Sequence, residues 1–292
     1  MQIPRSSFAI LLTLLLASPL TTAQASVPPS LGDSGFTFRN LRYPGSAYTQ
    51  VLGINSTGSF VGVYGNTPTE SQGFVHTAAG FVTIDYPGAL GTAADGINES
   101  GAIVGGFADQ QRQGHGFLYI NGKFTAIDVP GRTGTVAAAI NRHGDIVGFY
   151  QDSALLEHGF LEISGGITSI DFPGATQTVA LGINSGDGIS GYYYDAFGQS
   201  HGFSYANGVY QSIDPPGSQF TIGYGINDAG EITGWTDNGN VTQGFVYNAG
   251  LFTTIVAPGA SETQCTGINN SGAIVGIRRD QKTNGFAAIP TQ

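Results

Sequence analysis

Gly96-Ile97-Asn98-Glu99-Ser100-Gly101-Ala102-Ile103-Val104-Gly105 decides the fold, because the chain writes this stretch six times over. Gly-Ile-Asn falls at Asn55, Asn98, Asn184, Asn227 and Asn269, and Ala139-Ile140-Asn141 is the sixth copy. The asparagines are spaced by 43, 43, 43, 43 and 42 residues. A period of this length, with four short strands in each copy, is the signature of propeller blades.

Outward from the triplet, one copy reads as follows. Thr135 to Asn141 forms a first strand, and Asn141 to Gly144 a tight turn with glycine available for positive φ. Ile146 to Tyr150 is a second strand, and a longer polar loop leads to a third that opens with His158-Gly159-Phe160. Ser164-Gly165-Gly166 turns the chain into a fourth strand, Ile167 to Phe172, ended by Pro173-Gly174 because proline cannot donate to a ladder. Asn121-Gly122 and Asn207-Gly208 are the matching hairpin turns in neighbouring copies. Pro-Gly recurs at Pro44, Pro87, Pro130, Pro173, Pro216 and Pro258, and Gly-Phe at Gly73, Gly116, Gly159, Gly202, Gly244 and Gly285.

The chain begins this pattern with a fourth strand (Phe38 to Tyr43) and ends it with a third (Gly285 to Ile289). The last copy is complete only if both ends join one sheet, which protects the edges that an open solenoid must cap. The sequence therefore predicts an all-β, six-bladed β-propeller of four-stranded antiparallel blades over residues 36–292, its last blade closed by the N-terminal strand.

Before the repeat, Arg5, the apolar run Phe8 to Ala17 and Ala23-Gln24-Ala25 have the layout of a secretory signal peptide over residues 1–25, cleaved after Ala25. Residues 26–35 read as a linker. A secreted or periplasmic monomer is expected. No later stretch is long and apolar enough for membrane insertion. With 20 acidic against 10 basic residues and a net charge of −10, the chain has no electrostatic footprint for nucleic acid. Cys265 is the only cysteine and stands where other copies have Val51, Ala94, Ala137, Ala180 and Gly223, so it reads as a packed side chain.

The triplets His-Gly-Phe at His115, His158 and His201, Gln-Gly-Phe at Gln72 and Gln243, and Asn-Gly-Phe at Asn284 resemble those of the bacterial extracellular HAF-repeat family. The runs Gly96 to Gly105 and Gly267 to Gly276 are similar to that family as well. The resemblance covers residues 36 to 292. It implies export and a repeated β fold, and brings no activity or catalytic residues.

Groups present in every copy read as parts of the blade. The column Asp109, Asp152, Asp195, Asp237 and Asp280 sets acids near the histidines. Equivalent atoms two or three strands from the axis are at least roughly 10 Å apart, too far to share a metal whose ligands lie at about 2 Å. An Asp–His hydrogen bond pinning each loop is expected, and no metal or cofactor. Thr49, Thr92, Thr135, Thr178, Thr221 and Thr263 read as strand-end hydroxyls around the channel mouth. Loops after second and fourth strands share one face, and a ligand is expected there.

Function is then sought where that face breaks the repeat: Asp95, Arg132, Tyr224 and Glu262 near the channel, and Arg112, Glu157, Tyr194, Arg278, Arg279 and Lys282 farther out. Arg278 replaces an aromatic of the column Tyr64, Phe107, Tyr150, Tyr193. Tyr192-Tyr193-Tyr194 offers a sugar-stacking surface, with one or two of the three packed between blades. No Gly-x-Ser-x-Gly, His-Glu-x-x-His or phosphate loop occurs. The reading is a non-catalytic module binding a glycan or extracellular protein through Asp95, Arg132, Tyr194, Tyr224, Glu262 and Arg278. The alternative is a polysaccharide hydrolase or lyase using Asp95, Glu262 and Arg132.

Overall fold

The computed structural model describes residues 35–67 and 70–291. The expected signal peptide, and the expected linker except for Gly35, lie outside them. Every described element is a β-strand. One sheet takes β1 (Phe36–Leu41) with β22 (Glu262–Ile268), β23 (Ile274–Arg279) and β24 (Thr283–Pro290). A second holds β2 (Tyr48–Ile54), β3 (Phe60–Gly65), β4 (Gln72–Thr77) and β5 (Gly80–Ile84), and a third β6 (Gly91–Ile97), β7 (Ile103–Ala108), β8 (Gly114–Ile120) and β9 (Lys123–Ile127). The fourth is β10 (Thr133–Ile140), β11 (Ile146–Gln151), β12 (Glu157–Ile163) and β13 (Gly166–Ile170).

The fifth sheet contains β14 (Gln177–Ile183), β15 (Ile189–Tyr194), β16 (Ser200–Ala206) and β17 (Val209–Ile213), together with β18 (Phe220–Ile226), β19 (Ile232–Asp237), β20 (Thr242–Asn248) and β21 (Leu251–Ile255). Its two antiparallel runs are joined by one parallel bridge, Ser200 to Phe220.

Chain ends meet. β1 pairs antiparallel with β24 from Phe36↔Pro290 to Leu41↔Gly285, so the N-terminal strand completes the sheet of the C-terminal ones. The first strands of the copies touch in order, β2 to β6, β10, β14, β18 and β22, and β22 touches β2.

Two glycine columns make this approach possible. A Cβ at Gly53 would stand 2.6 Å from the carbonyl oxygen of Asp95, and one at Gly182 2.5 Å from that of Tyr224, so Gly-Ile-Asn needs its glycine where neighbouring inner strands nearly collide. At Gly105 a Cβ would meet the Ala93 carbonyl at 2.0 Å and the Phe117 ring at 2.9 Å. That ring is one of the repeated Gly-Phe phenylalanines (Phe74, Phe117, Phe160, Phe203, Phe245, Phe286), all fully buried against such glycines. Truncating one to alanine costs about 3–5 kcal/mol.

The asparagines of the repeat form a closed hydrogen-bond circle. Nδ2 of Asn55 donates to the carbonyl of Asn98 at 3.0 Å, Asn98 to Asn141 at 3.0 Å, and Asn141 to Asn184 at 3.3 Å. Asn184 donates to Asn227 at 3.0 Å, Asn227 to Asn269 at 3.3 Å, and Asn269 back to Asn55 at 3.1 Å across 214 residues. Oδ1 of each accepts N–H groups two and four residues on, as Asn98 does from Ser100 and Ala102, which fixes the tight turn.

Candidate functional site

The repeated polar residues are engaged by the architecture. His115 Nδ1 lies 3.0 Å from Asp128 and its Nε2 3.3 Å from Asp109; His158 bridges Asp171 and Asp152 in the same way, and His201 bridges Asp214 and Asp195. Each histidine is thus held within its own repeat, as the spacing argument required. Among the described residues no group of three or more His, Cys, Asp or Glu is arranged to hold a metal. Cys265 is buried and unpaired, and burial pushes its thiol up to about 12.

The threonine column makes strand-end hydrogen bonds, as expected, and its members are buried. Five of them accept the backbone N–H six residues earlier, from Tyr43, Tyr86, Val129, Phe172 and Ala257, which pins the chain into each first strand. The sixth, Thr221, has Pro215 six residues earlier, which has no N–H, and its hydroxyl has no partner among the described residues.

The irregular residues separate into three groups. Arg132 is exposed, its guanidinium 5.7 Å from the centre of the Tyr150 ring. In other copies an aromatic stacks there, such as Tyr43 on Tyr64 and Tyr86 on Phe107, each at 3.6 Å; in this copy the equivalent residue is Val129. On β22 and β23, Glu262 Oε2 accepts from Arg279 at 2.9 Å, while Arg278 reaches Asp280 at 3.1 Å. Asp95 and Tyr224 lie farther in, at the equivalent depth of β6 and β18, both buried. Of the three residues of the catalytic alternative, Arg132 thus lies over Tyr150, Glu262 is paired with Arg279, and Asp95 is buried on β6.

What is united is a set of groups around the axis. Val136, Ala138, Val179, Leu181, Ile222 and Tyr224 come from three successive first strands and pack into one cluster with Phe149, Tyr192 and Trp235. Tyr194 and Phe220 close against its outer side. The equivalent inward positions on β22, β2 and β6 include polar side chains: Gln264, Gln50 and Asp95, only 2%, 0% and 4% exposed. Oε1 of Gln264, both amide atoms of Gln50 and Oδ2 of Asp95 have no hydrogen-bond partner among the described residues. A buried polar group left unmet costs about 1–3 kcal/mol, so this half of the axis is held against a penalty that valine or leucine would not incur.

At the loop end, Glu157 is buried beside its ladder partner Gln151, whose Oε1 is also unpartnered. Burial raises the Glu157 carboxyl to about 7; it also raises Asp95 to about 7, against a smaller opposing hydrogen bond from the Gly106 N–H. Tyr194 is pushed up to about 12 by burial and then by the charge of Glu157. Tyr192 is raised by burial, Glu157, Tyr194 and Tyr224, and Tyr224 by burial and Asp95. Tyr194 stands edge to face against Tyr192 at 5.8 Å, and Tyr192 packs in one cluster with Tyr224.

The sequence singles out Asp95, Tyr194, Tyr224 and Glu157 as irregular; the buried glutamines Gln50, Gln151 and Gln264 are not among the residues it singles out. The available signal for Gln50 and Gln264 was a glutamine in a column that elsewhere reads Ala93, Val136, Val179 and Ile222.

Two cavities open on the opposite, tight-turn face. One of about 70 Å³ lies over the asparagine circle, rimmed by Glu99, Arg142 and Asp228; the other, about 520 Å³, runs between Phe36, Val246, Leu251 and Pro290.

These features define an all-β, propeller-like protein with a partly polar axis. Solved structures place it in that class. TolB from Acinetobacter baumannii matches over 85% of this chain and 65% of its own, at 12% identity and a TM-score of 0.59. A candidate gluconolactonase matches over 87% and 92%, at 12% identity and 0.52. The Aleuria aurantia lectin in complex with alpha-methyl-L-fucoside matches over 87% and 98%, at 12% identity and 0.48. At such identities the likeness is one of fold. No protein-family profile and no curated protein sequence matches this chain.

Proposed function

We propose that this chain is an exported, monomeric six-bladed β-propeller of the HAF-repeat type, and that it is a non-catalytic module binding a glycan from its loop face. The count of six rests on the six first strands touching in a closed order and on the asparagine circle that returns from Asn269 to Asn55. Export rests on the leader-like composition of residues 1–25.

The binding reading is supported by one observation: Tyr194, Tyr192 and Tyr224 pack together beside an axis where Gln50, Gln264 and Asp95 carry buried polar atoms without partners among the described residues. Tyrosines stack on sugar faces, and buried polar atoms without protein partners discriminate hydroxyl patterns. The test is retention on an array of plant and bacterial glycans. Tyr194→Ala should weaken it about tenfold, equivalent to about 1.4 kcal/mol, while the melting temperature stays within a few degrees. A blank array across the whole panel, or release of new reducing ends from a polysaccharide, defeats this reading.

A further inference from the structure

We propose that the groove of about 520 Å³ on the tight-turn face is the seat of the chain's own segment 26–34, anchored by Leu31, which straps the N-terminal strand into the last sheet. Three observations carry this. First, the groove opens where the repeat loses a side chain. The residue paired with the start of each second strand is His76, Tyr119, Glu162, Tyr205 or Tyr247 in five copies. In the last copy it is Ala288, opposite Ile274, which lines the groove. Tyr119, Tyr205 and Tyr247 each lie against a fourth-strand ring, Phe124, Tyr210 and Phe252, at 4.7, 4.6 and 4.9 Å. Phe38, paired with Ala288, meets only a methyl group there.

Second, the segment starts at the groove. Phe36 and Pro290 are ladder partners and both line it, and the Thr291 N–H donates to the Gly35 carbonyl at 2.8 Å. Leu31 is four residues from Gly35, so it lies within roughly 13 Å of that point. A tether this short gives an effective concentration on the order of millimolar, ahead of any free partner. Third, the chemistry matches. Val246, Leu251, Ile268 and Ile274 make the walls apolar, and Leu251 is 75% exposed. At the rim Asn248 donates to Glu231 at 3.0 Å, so these polar groups engage each other. Within segment 26–34, Val27, Pro28, Pro29 and Leu31 are apolar and Asp33 is the only charge. Pro28 and Pro29 have no N–H, so the segment is unsuited to extending the edge of β1 as a further strand. Their fixed φ lowers the entropy lost on lying in a groove.

The full chain, expressed with its leader, is tested with Leu31→Cys and Leu251→Cys combined. Cys265 is buried and takes no part. Mild oxidation of the dilute protein should close a disulfide within one chain in most molecules, seen as a mobility shift that reduction reverses. The control pairs Leu31→Cys with Val209→Cys, which opens β17 as Leu251 opens β21 and is 67% exposed. It should close at least about tenfold less. Equal closure in both pairs, or none in either, overturns the proposal. A bond between two chains overturns it as well, and assigns the groove to the segment of a second copy. Independently of cysteine chemistry, amide exchange over residues 30–34 should be at least about tenfold slower in the wild-type chain than in Leu31→Asp. Equal rates in the two proteins would mean that the segment does not dock.

Discussion

At the tight-turn end of the axis, six asparagines each use Nδ2 on the next repeat and Oδ1 on their own turn. At the loop end and midway down, Gln50, Gln151, Gln264 and Asp95 hold buried atoms that nothing among the described residues satisfies. The same repeat builds both regions. One is regular and its hydrogen bonds close on themselves, so its polar side chains are structure. The other departs from the repeat in most copies, and its polar side chains are left over when the structure is complete. The difference separates residues that hold the ring from residues that face something else.

The largest effect that can break this contrast lies in the circle. Asn98→Ala removes the bond to the Asn141 carbonyl and the acceptor for the N–H groups of Ser100 and Ala102. Leaving such buried groups unmet should cost roughly 2–4 kcal/mol. Asn240, an exposed loop asparagine, should tolerate alanine within about 0.5 kcal/mol. Urea denaturation of the two variants measures both; equal, small losses would mean that the circle contributes little and the contrast is empty.

Much of the ring was legible in the chain. Spacing, Pro-Gly ends and Asn-Gly turns placed the strands, and the permuted ends foretold the pairing of β1 with β24. The asparagine circle was visible only as a recurrence, because a residue present in every copy does not reveal whether it bonds within its repeat or to the next. The site was harder still. Glu157 sits one residue before a repeated His-Gly-Phe, at the start of β12, and its burial depends on Gln151, Gln177 and Tyr194 arriving from other strands. Arg132 read as a channel residue because its position in the loop does not show that Val129 leaves room for it on Tyr150.

A smaller effect sharpens the contrast through pH. The ordinary values of Asp95 and Glu157 are 3.8 and 4.5, and both are raised to about 7 in the fold. The folded protein then binds protons more tightly than the unfolded chain, so their favourable contribution is full below about pH 4 and is lost as pH rises through about 7. Asp109, Asp152 and Asp195 run the other way. Backbone N–H groups of Gln113, Leu156 and Gln199 lower them most, so their contribution is present above about pH 4 and is lost as pH falls. Stability without ligand should peak near pH 4 and fall toward pH 7. Asp95→Asn should gain at least about 1 kcal/mol more over wild type at pH 8 than at pH 4. Denaturation at the two pH values decides it; a gain independent of pH would mean that Asp95 does not titrate in this range.

The smallest effect compares one position in two copies. Thr178 accepts the Phe172 N–H at 3.0 Å, whereas Thr221 has Pro215 six residues earlier and its buried hydroxyl has no partner among the described residues. Valine matches threonine in shape and removes only the hydroxyl. At Thr178 it leaves a buried N–H unmet, a loss of about 1–3 kcal/mol; at Thr221 it removes an orphaned polar group, so the change should be neutral or favourable by up to about 1 kcal/mol. The opposite signs would show that a break in the repeat turns the same side chain from a structural bond into a cost. Equal losses in both variants would instead assign the column's value to the methyl group, and would remove the argument that unpartnered polar atoms near the axis need an occupant.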